Sequence, residues 1–395
     1  MITRSVFYPL VQRLHSPRCR IQVLFGPRES GKTTLAQQAI QAFAGRATYV
    51  SSDGPTAIDA FDLEQKWELA RLECRRSGRW LLILDEVQRT AGWSAVARRL
   101  RDGDAGEGLD LRVLMIGSSM PLLDAGLKSD LQGLYDMTPT GHWSYAEIQE
   151  RFGWTLDQYI YFGGYPRTAE MLANEEGWRA FLLEQVIETA LARDVLLSAQ
   201  VAKPSLLRSF FRLACTHSAE VLSFQKMTTQ LPGAGNTTTL SGYLELLQGA
   251  GLVRGLQKFD DGEERKRGSI PKLQVFNSGL ATALSGWTYE SARGDGDRWG
   301  RLVESAIGAH LANAAVTGEI DDLCYWRERN RDVAFVIRAG NRIVALDVKA
   351  GQRKISMPGI EVFARAFRPY RRLEVGAEGI PVEEFLRISP RELSL

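Results

Sequence analysis

The chain of 395 residues is long enough for two or three domains, and its 44% hydrophobic and 24% charged residues are ordinary for a globular protein. Its net charge is only +2, but residues 326–372 hold twelve Lys and Arg against four Asp and Glu, leaving the remainder six negative; that segment is a candidate nucleic-acid surface. No apolar run reaches the roughly eighteen residues of a membrane span, and residues 1–7 lack the apolar core of a signal peptide, so a cytoplasmic protein with no membrane partner is expected.

Residues 21–25 are a short apolar run of buried-strand type, and residues 34–40 are good helix formers. Between them stand Gly26, Pro27, Arg28, Glu29, Ser30, Gly31, Lys32 and Thr33, followed by Thr34. This is G-x-x-x-x-G-K-T, a phosphate-binding loop in the strand–loop–helix setting that the motif needs. The glycines let backbone N–H groups turn onto phosphate oxygens, and the helix N-terminus adds its positive dipole end. Lys32 is expected to reach the β- and γ-phosphates of ATP, and the Thr33 hydroxyl to sit on Mg²⁺.

Further strands are predicted at 47–51, 80–84, 111–116 and 135–139, with helices between them, as in a parallel α/β sheet. Residues 102–110, with three glycines and four acids, read as a loop. The third strand ends in Leu84-Asp85-Glu86. There Asp85 would hold Mg²⁺ through water and Glu86 would polarise the attacking water. The fourth strand ends in Gly117-Ser118-Ser119, where Ser118 or Ser119 would sense the γ-phosphate.

From about 145 to 200 the pattern is helical, interrupted by Phe-Gly-Gly-Tyr-Pro at 162–166. A helix over 206–216, a second starting at Ser223 and a third capped by Thr238 or Thr239 lead to a strand at 252–256 and a turn at 260–263. Three helices and a β-ribbon describe a winged helix-turn-helix. Its third helix bears no Lys or Arg, whereas the wing offers Lys258, Arg265, Lys266 and Arg267 to a double-stranded DNA backbone. A helix around 299–312 and strands at 323–326, 333–337 and 342–348 follow. The cysteines, Cys19, Cys74, Cys215 and Cys324, are scattered without metal-site spacing and read as free thiols.

Together these motifs resemble the bacterial AAA-type ATPases that carry a C-terminal domain of unknown function similar to restriction-endonuclease folds. The resemblance rests on Gly-Pro-Arg-x-x-Gly-Lys-Thr-Thr at 26–34, Leu-Asp-Glu-Val-Gln-Arg at 84–89, Gly-Ser-Ser at 117–119 and Phe-Gly-Gly-Tyr-Pro at 162–166. It runs from about residue 4 to residue 384 and implies an α/β protein in four parts. These are a P-loop NTPase core with a parallel sheet (1–145), a helical lid (146–203), a winged helix (204–270) and a PD-(D/E)xK nuclease-like domain (271–395). Gly164 and Pro166 would close the lid over the base through a rigid kink.

In active nuclease-like members, carboxylates hold Mg²⁺ beside a lysine, and Glu304, Asp347 and Lys349 match that pattern. The middle strand reads Asp-Val-Ala-Phe at 332–335 where the family has Glu-Val-Asp-Phe, so Ala334 replaces the central ligand and a degenerate domain is expected. Leu134 stands where the family often has arginine, which leaves Arg28, Arg167 and Arg193 as candidate charge-stabilising groups. Slow hydrolysis of ATP to ADP is therefore expected, raised by a protein partner or by homo-oligomerisation. The function implied is an ATP-hydrolysing protein acting on or recruited to DNA. The alternatives are a nucleotide-gated protein-interaction switch and a metal-dependent nuclease.

Overall fold

The apolar runs of the N-terminal part form one parallel sheet: β1 Ile21–Phe25, β2 Ala47–Ser51, β3 Arg79–Asp85, β4 Asp110–Gly117 and β5 Tyr135–Pro139. Their order is β2-β3-β4-β1-β5. This computed structural model describes residues 3–17, 20–54, 58–118, 120–197, 201–260, 270–349, 359–376 and 379–394. It contains two compact units, 1–140 and 141–395.

A strand covered on both faces is apolar at successive positions, and β3 and β4 are buried almost throughout. Alternation of side chains divides the core between the two faces. Leu82 and Leu84 pack with Leu63 and Trp67 of α3 (Ala60–Ser77) and Leu100 of α4 (Trp93–Gly106). Leu81 and Ile83 pack on the other side with Leu10 of α1 (Phe7–His15) and Leu35 of α2 (Lys32–Ala42). The turns after β1 and β3 therefore emerge together at the carboxyl edge of the sheet, where α/β proteins bind ligands.

The loop predicted over 102–110 is corrected, because α4 continues to Gly106. Asp104 is 1% exposed and accepts hydrogen bonds from Trp67 Nε1 at 2.9 Å and Arg71 Nε at 2.5 Å. This tertiary pairing overrides the poor helix propensity of the Gly- and Asp-rich segment.

In the second unit, helices Pro204–Thr216, Phe224–Gln230 and Thr237–Gly249 precede an antiparallel pair, β6 Val253–Lys258 and β7 Lys272–Val275. The third helix is capped by Asn236, whose Oδ1 accepts from Thr239 N at 2.8 Å; the expected Thr238 and Thr239 lie inside the helix. Strand β6 also pairs in parallel with β8 (Asp322–Glu328), through Gln257–Cys324 and Lys258–Tyr325. With β9 Arg331–Ala339, β10 Arg342–Lys349 and β11 Arg371–Gly376, this makes a six-stranded mixed sheet ordered β11-β10-β9-β8-β6-β7. One apolar core contains Tyr145, Phe210, Leu247, Leu273, Leu311 and Phe385, so the expected limits at 204 and 271 cross continuous packing. Ser119 and the expected wing residues Arg265, Lys266 and Arg267 lie outside the described residues. Among the described residues no helix is long and apolar enough to cross a membrane.

Removing one partner of a buried ion pair costs about 3–5 kcal/mol. Asp104→Ala should lower the unfolding free energy by about 3 kcal/mol, read from the urea midpoint followed by far-UV circular dichroism.

Candidate nucleotide-binding site

The loop from β1 to α2 turns sharply. Gly31 has φ +89° and Glu29 φ +59°, both left-handed. Glycine at 26 is required by space: a Cβ there would lie 2.0 Å from Thr140 Oγ1 and 2.4 Å from its carbonyl oxygen. Ser30 is fully buried, with its carbonyl accepting from Arg4 Nη1 at 2.9 Å and its hydroxyl 3.3 Å from Thr140 Oγ1. Lys32 is 7% exposed, and its ammonium donates to the carbonyl oxygens of Gly26 at 2.9 Å and Pro27 at 2.7 Å. Arg28 lies 3.9 Å from Asp53, which also pairs with Arg89.

Asp85 ends β3, nearly buried, and burial raises its carboxyl pKa against the opposing pull of a Tyr49 hydrogen bond and the Lys32 charge. Tyr49 donates its hydroxyl hydrogen to Asp85 Oδ2. Burial first, then the Asp85 carboxylate, holds the phenol protonated far above its ordinary range. Sequence reasoning missed Tyr49. Its only signal was an aromatic hydroxyl inside β2, one strand over from Asp85.

Glu86 follows in a left-handed conformation, φ +54°, unusual for a non-glycine residue. Its backbone N–H bonds the Ile116 carbonyl at 2.8 Å. Its Oε2 accepts from Ser118 Oγ at 3.0 Å and from Gln88 Nε2 at 2.5 Å. Ser118, expected to sense phosphate, thus braces the carboxylate next to it. Strain of this kind persists where the surroundings over-determine it, and it concentrates at functional sites.

These residues fit a magnesium–nucleotide pair. Glycine at 26 keeps the turn that a Cβ would block, and the Thr33 hydroxyl with the Asp85 carboxylate supplies the hard oxygen donors that Mg²⁺ takes. Residues 18–149 match an AAA domain. The matched segment carries the loop, the paired acids and Ser118. Residues 153–291 match a domain of unknown function (DUF8612), and that match spans the expected limits at 204 and 271. No curated protein matches the chain. Among solved structures, the RuvB Holliday junction branch migration motor of Thermotoga maritima is 15% identical over 69% of this chain and 92% of its own, with a TM-score of 0.35. AMPPCP-bound DnaA from Aquifex aeolicus is 15% identical over 63% of this chain and 89% of its own, with a TM-score of 0.32.

The Gly-Gly-Tyr-Pro turn belongs to the core of the second unit. Gly164 N–H bonds Asn277 Oδ1 at 3.2 Å, a Cβ at Gly164 would lie 2.3 Å from the Trp143 carbonyl oxygen, and Tyr165 is fully buried. Pro166 opens the short helical turn that follows.

In the same unit, Glu304, Asp332 and Asp347 are near enough to interact, but they do not fit a metal. Lys272, 3% exposed, already pairs its ammonium with one of these acids: it lies 2.7 Å from Glu304 Oε1, 2.9 Å from the Ala334 carbonyl and 4.1 Å from the Phe335 ring centre. Lys349 is paired 2.6 Å from Glu374. Among the described residues no three acidic, His or Cys side chains form a metal-holding group.

Burial pushes the Asp347 carboxyl up to about 6, with Asp332 and Glu304 adding to the rise and Lys349 opposing it. A carboxyl raised on folding contributes stability that is present below its unfolded pKa of about 4 and lost as pH climbs through about 6. Asp347→Asn should therefore flatten the stability–pH curve in that window. Above pH 6.5 it should leave the protein about 2 kcal/mol more stable than the parent, as measured by urea unfolding across pH 4–8.

Proposed function

We propose that this protein binds ATP with Mg²⁺, hydrolyses it slowly, and acts on or is recruited to DNA. The observation that carries the reading is the meeting of Lys32 and Thr33 with Asp85 and Glu86 around one carboxyl edge of the sheet. Phosphoryl transfer asks for positioning and charge neutralisation more than covalent chemistry. Lys32 would exchange the Gly26 and Pro27 carbonyls for phosphate oxygens. Magnesium, when bound, would draw charge from the β- and γ-phosphates, held by the Thr33 hydroxyl and, through water, by Asp85. Glu86, fixed by Ser118 and Gln88, would polarise the attacking water. Ser119 would join Ser118 near the γ-phosphate. With leucine at 134, charge stabilisation falls to Arg28, Arg167 or Arg193, or to a partner or second copy of the chain.

In this reading 146–203 acts as a lid, with Gly164 and Pro166 near the base. Residues 204–270 act as a winged helix, and 271–395 as a degenerate nuclease-like domain in a cytoplasmic protein. The DNA arm is supported by the basic segment 326–372 and by Tyr370, 47% exposed, with the guanidinium carbons of Arg342 and Arg371 at 4.4 and 5.3 Å from its ring centre. A protein-interaction switch is the second reading. It is favoured by the third helix, Thr237–Gly249, which offers no cation to phosphate. The Lys272 ammonium against Glu304 weighs against the nuclease reading.

Lys32→Ala should weaken ATP binding at least tenfold, by calorimetry, because the buried ammonium is the loop's fixed charge. Glu86→Gln should keep ATP binding while slowing phosphate release about 100-fold or more. Wild-type protein that releases no phosphate, or variants that match it, would end the hydrolysis reading. Duplex DNA should bind with an affinity that falls steeply between 50 and 200 mM salt in anisotropy titrations, as phosphate contacts require; absent or salt-insensitive binding would leave the interaction-switch reading.

A further inference from the structure

Tyr49 is a member of the nucleotide site that the motifs do not name, and its hydroxyl bonds the carboxylate proposed to face magnesium. A phenol carries a single hydrogen. Tyr49 gives that hydrogen to Asp85 Oδ2. The direction of this bond fixes which carboxylate oxygen the phenol engages and leaves Oδ1 outside the bond. Asp85 gives up one of about four acceptor positions and keeps capacity for a metal-bound water.

The backbone sets this pair. Tyr49 lies within β2, in register with Ile83 of β3, two residues before Asp85. The two oxygens thus come from neighbouring hydrogen-bonded strands.

We propose that Tyr49 is a positioning residue for magnesium, setting the Asp85 carboxylate before the metal arrives. Mg²⁺ demands near-octahedral geometry and tolerates misaligned ligands poorly. Groups that orient metal ligands are commonly worth 10–100-fold in metal affinity. The inference rests on the nucleotide reading above and adds to it a residue, a direction of hydrogen bonding and a separable effect: metal affinity should depend on the Tyr49 hydroxyl, and metal-free nucleotide affinity should not.

The test uses the full chain and Tyr49→Phe, which removes one oxygen and keeps the ring. ATP binding in EDTA, by calorimetry, should stay within about twofold of wild type, because the Tyr49 hydroxyl is committed to Asp85, a residue that would act through the metal. Mn²⁺ affinity of the ATP-loaded protein, by electron paramagnetic resonance of free Mn²⁺, should fall about tenfold or more. Asp85→Asn and the Tyr49→Phe/Asp85→Asn double variant complete a cycle. If Tyr49 acts through Asp85, the phenylalanine change should add less than twofold in the asparagine background. Unchanged Mn²⁺ affinity in Tyr49→Phe overturns the proposal. So does a gain, which would make the hydroxyl a competitor for the metal position. A loss of equal size in both backgrounds overturns it as well. Wild-type protein that takes up no ATP sinks the nucleotide reading itself, and this inference with it; ATP uptake with intact Mn²⁺ affinity in the variant sinks only the inference.

Discussion

A buried ammonium needs negative charge or oriented dipoles around it. Lys32 meets that need with the carbonyl oxygens of Gly26 and Pro27 and with the charge of Asp85 close by. The rest of the site follows from this requirement. The loop must curl back on itself to bring its carbonyls to the lysine, hence the left-handed Glu29 and Gly31 and the missing side chain at 26. The acid must lie on the adjacent sheet edge, hence β3 ending at Asp85. In the proposed reading a polyphosphate would take the place of the carbonyls that now partner the Lys32 ammonium.

The second unit applies the same electrostatics to a different end. Glu304 and Asp347 are drawn toward one another by helix Gly296–Thr317 and strand β10, a costly arrangement for two acids away from water. Lys272 of β7 pairs with Glu304, and the Lys349 charge opposes the rise at Asp347. In the proposed reading Asp85 would take an external cation, whereas Glu304 is already paired with one from the chain itself.

Much of this was legible in the amino-acid pattern, and for physical reasons. Strands β1, β3 and β4 are covered on both faces, so their apolar runs stand out. The phosphate-binding loop is readable because glycine, lysine and threonine are each dictated by geometry or charge. The end of α4 was hidden because its acids and glycines are held by tertiary bonds, Asp104 to Trp67 and Arg71, that no local pattern encodes. The cap at Asn236 was passed over for threonines one turn into the helix. Tyr49 was invisible for a different reason: a tyrosine in a strand is ordinary, and its role exists only through its neighbour in space. Three helices and a β-ribbon predict a winged helix, and the resemblance implies a separate C-terminal part; the pairing of β6 with both β7 and β8 joins strands of the two, a long-range bond that no local pattern encodes.

That last pairing has a mechanical consequence. The hairpin partners β6 and β7 are joined through residues 259–271, but β6 is also stitched to β8 at Gln257 and Lys258. A protease that severed the peptide chain near residue 265 would not release two pieces, because the ladder and the shared apolar interior would hold the halves in one particle. The same property makes that point a natural place to divide the gene and let two polypeptides reassemble.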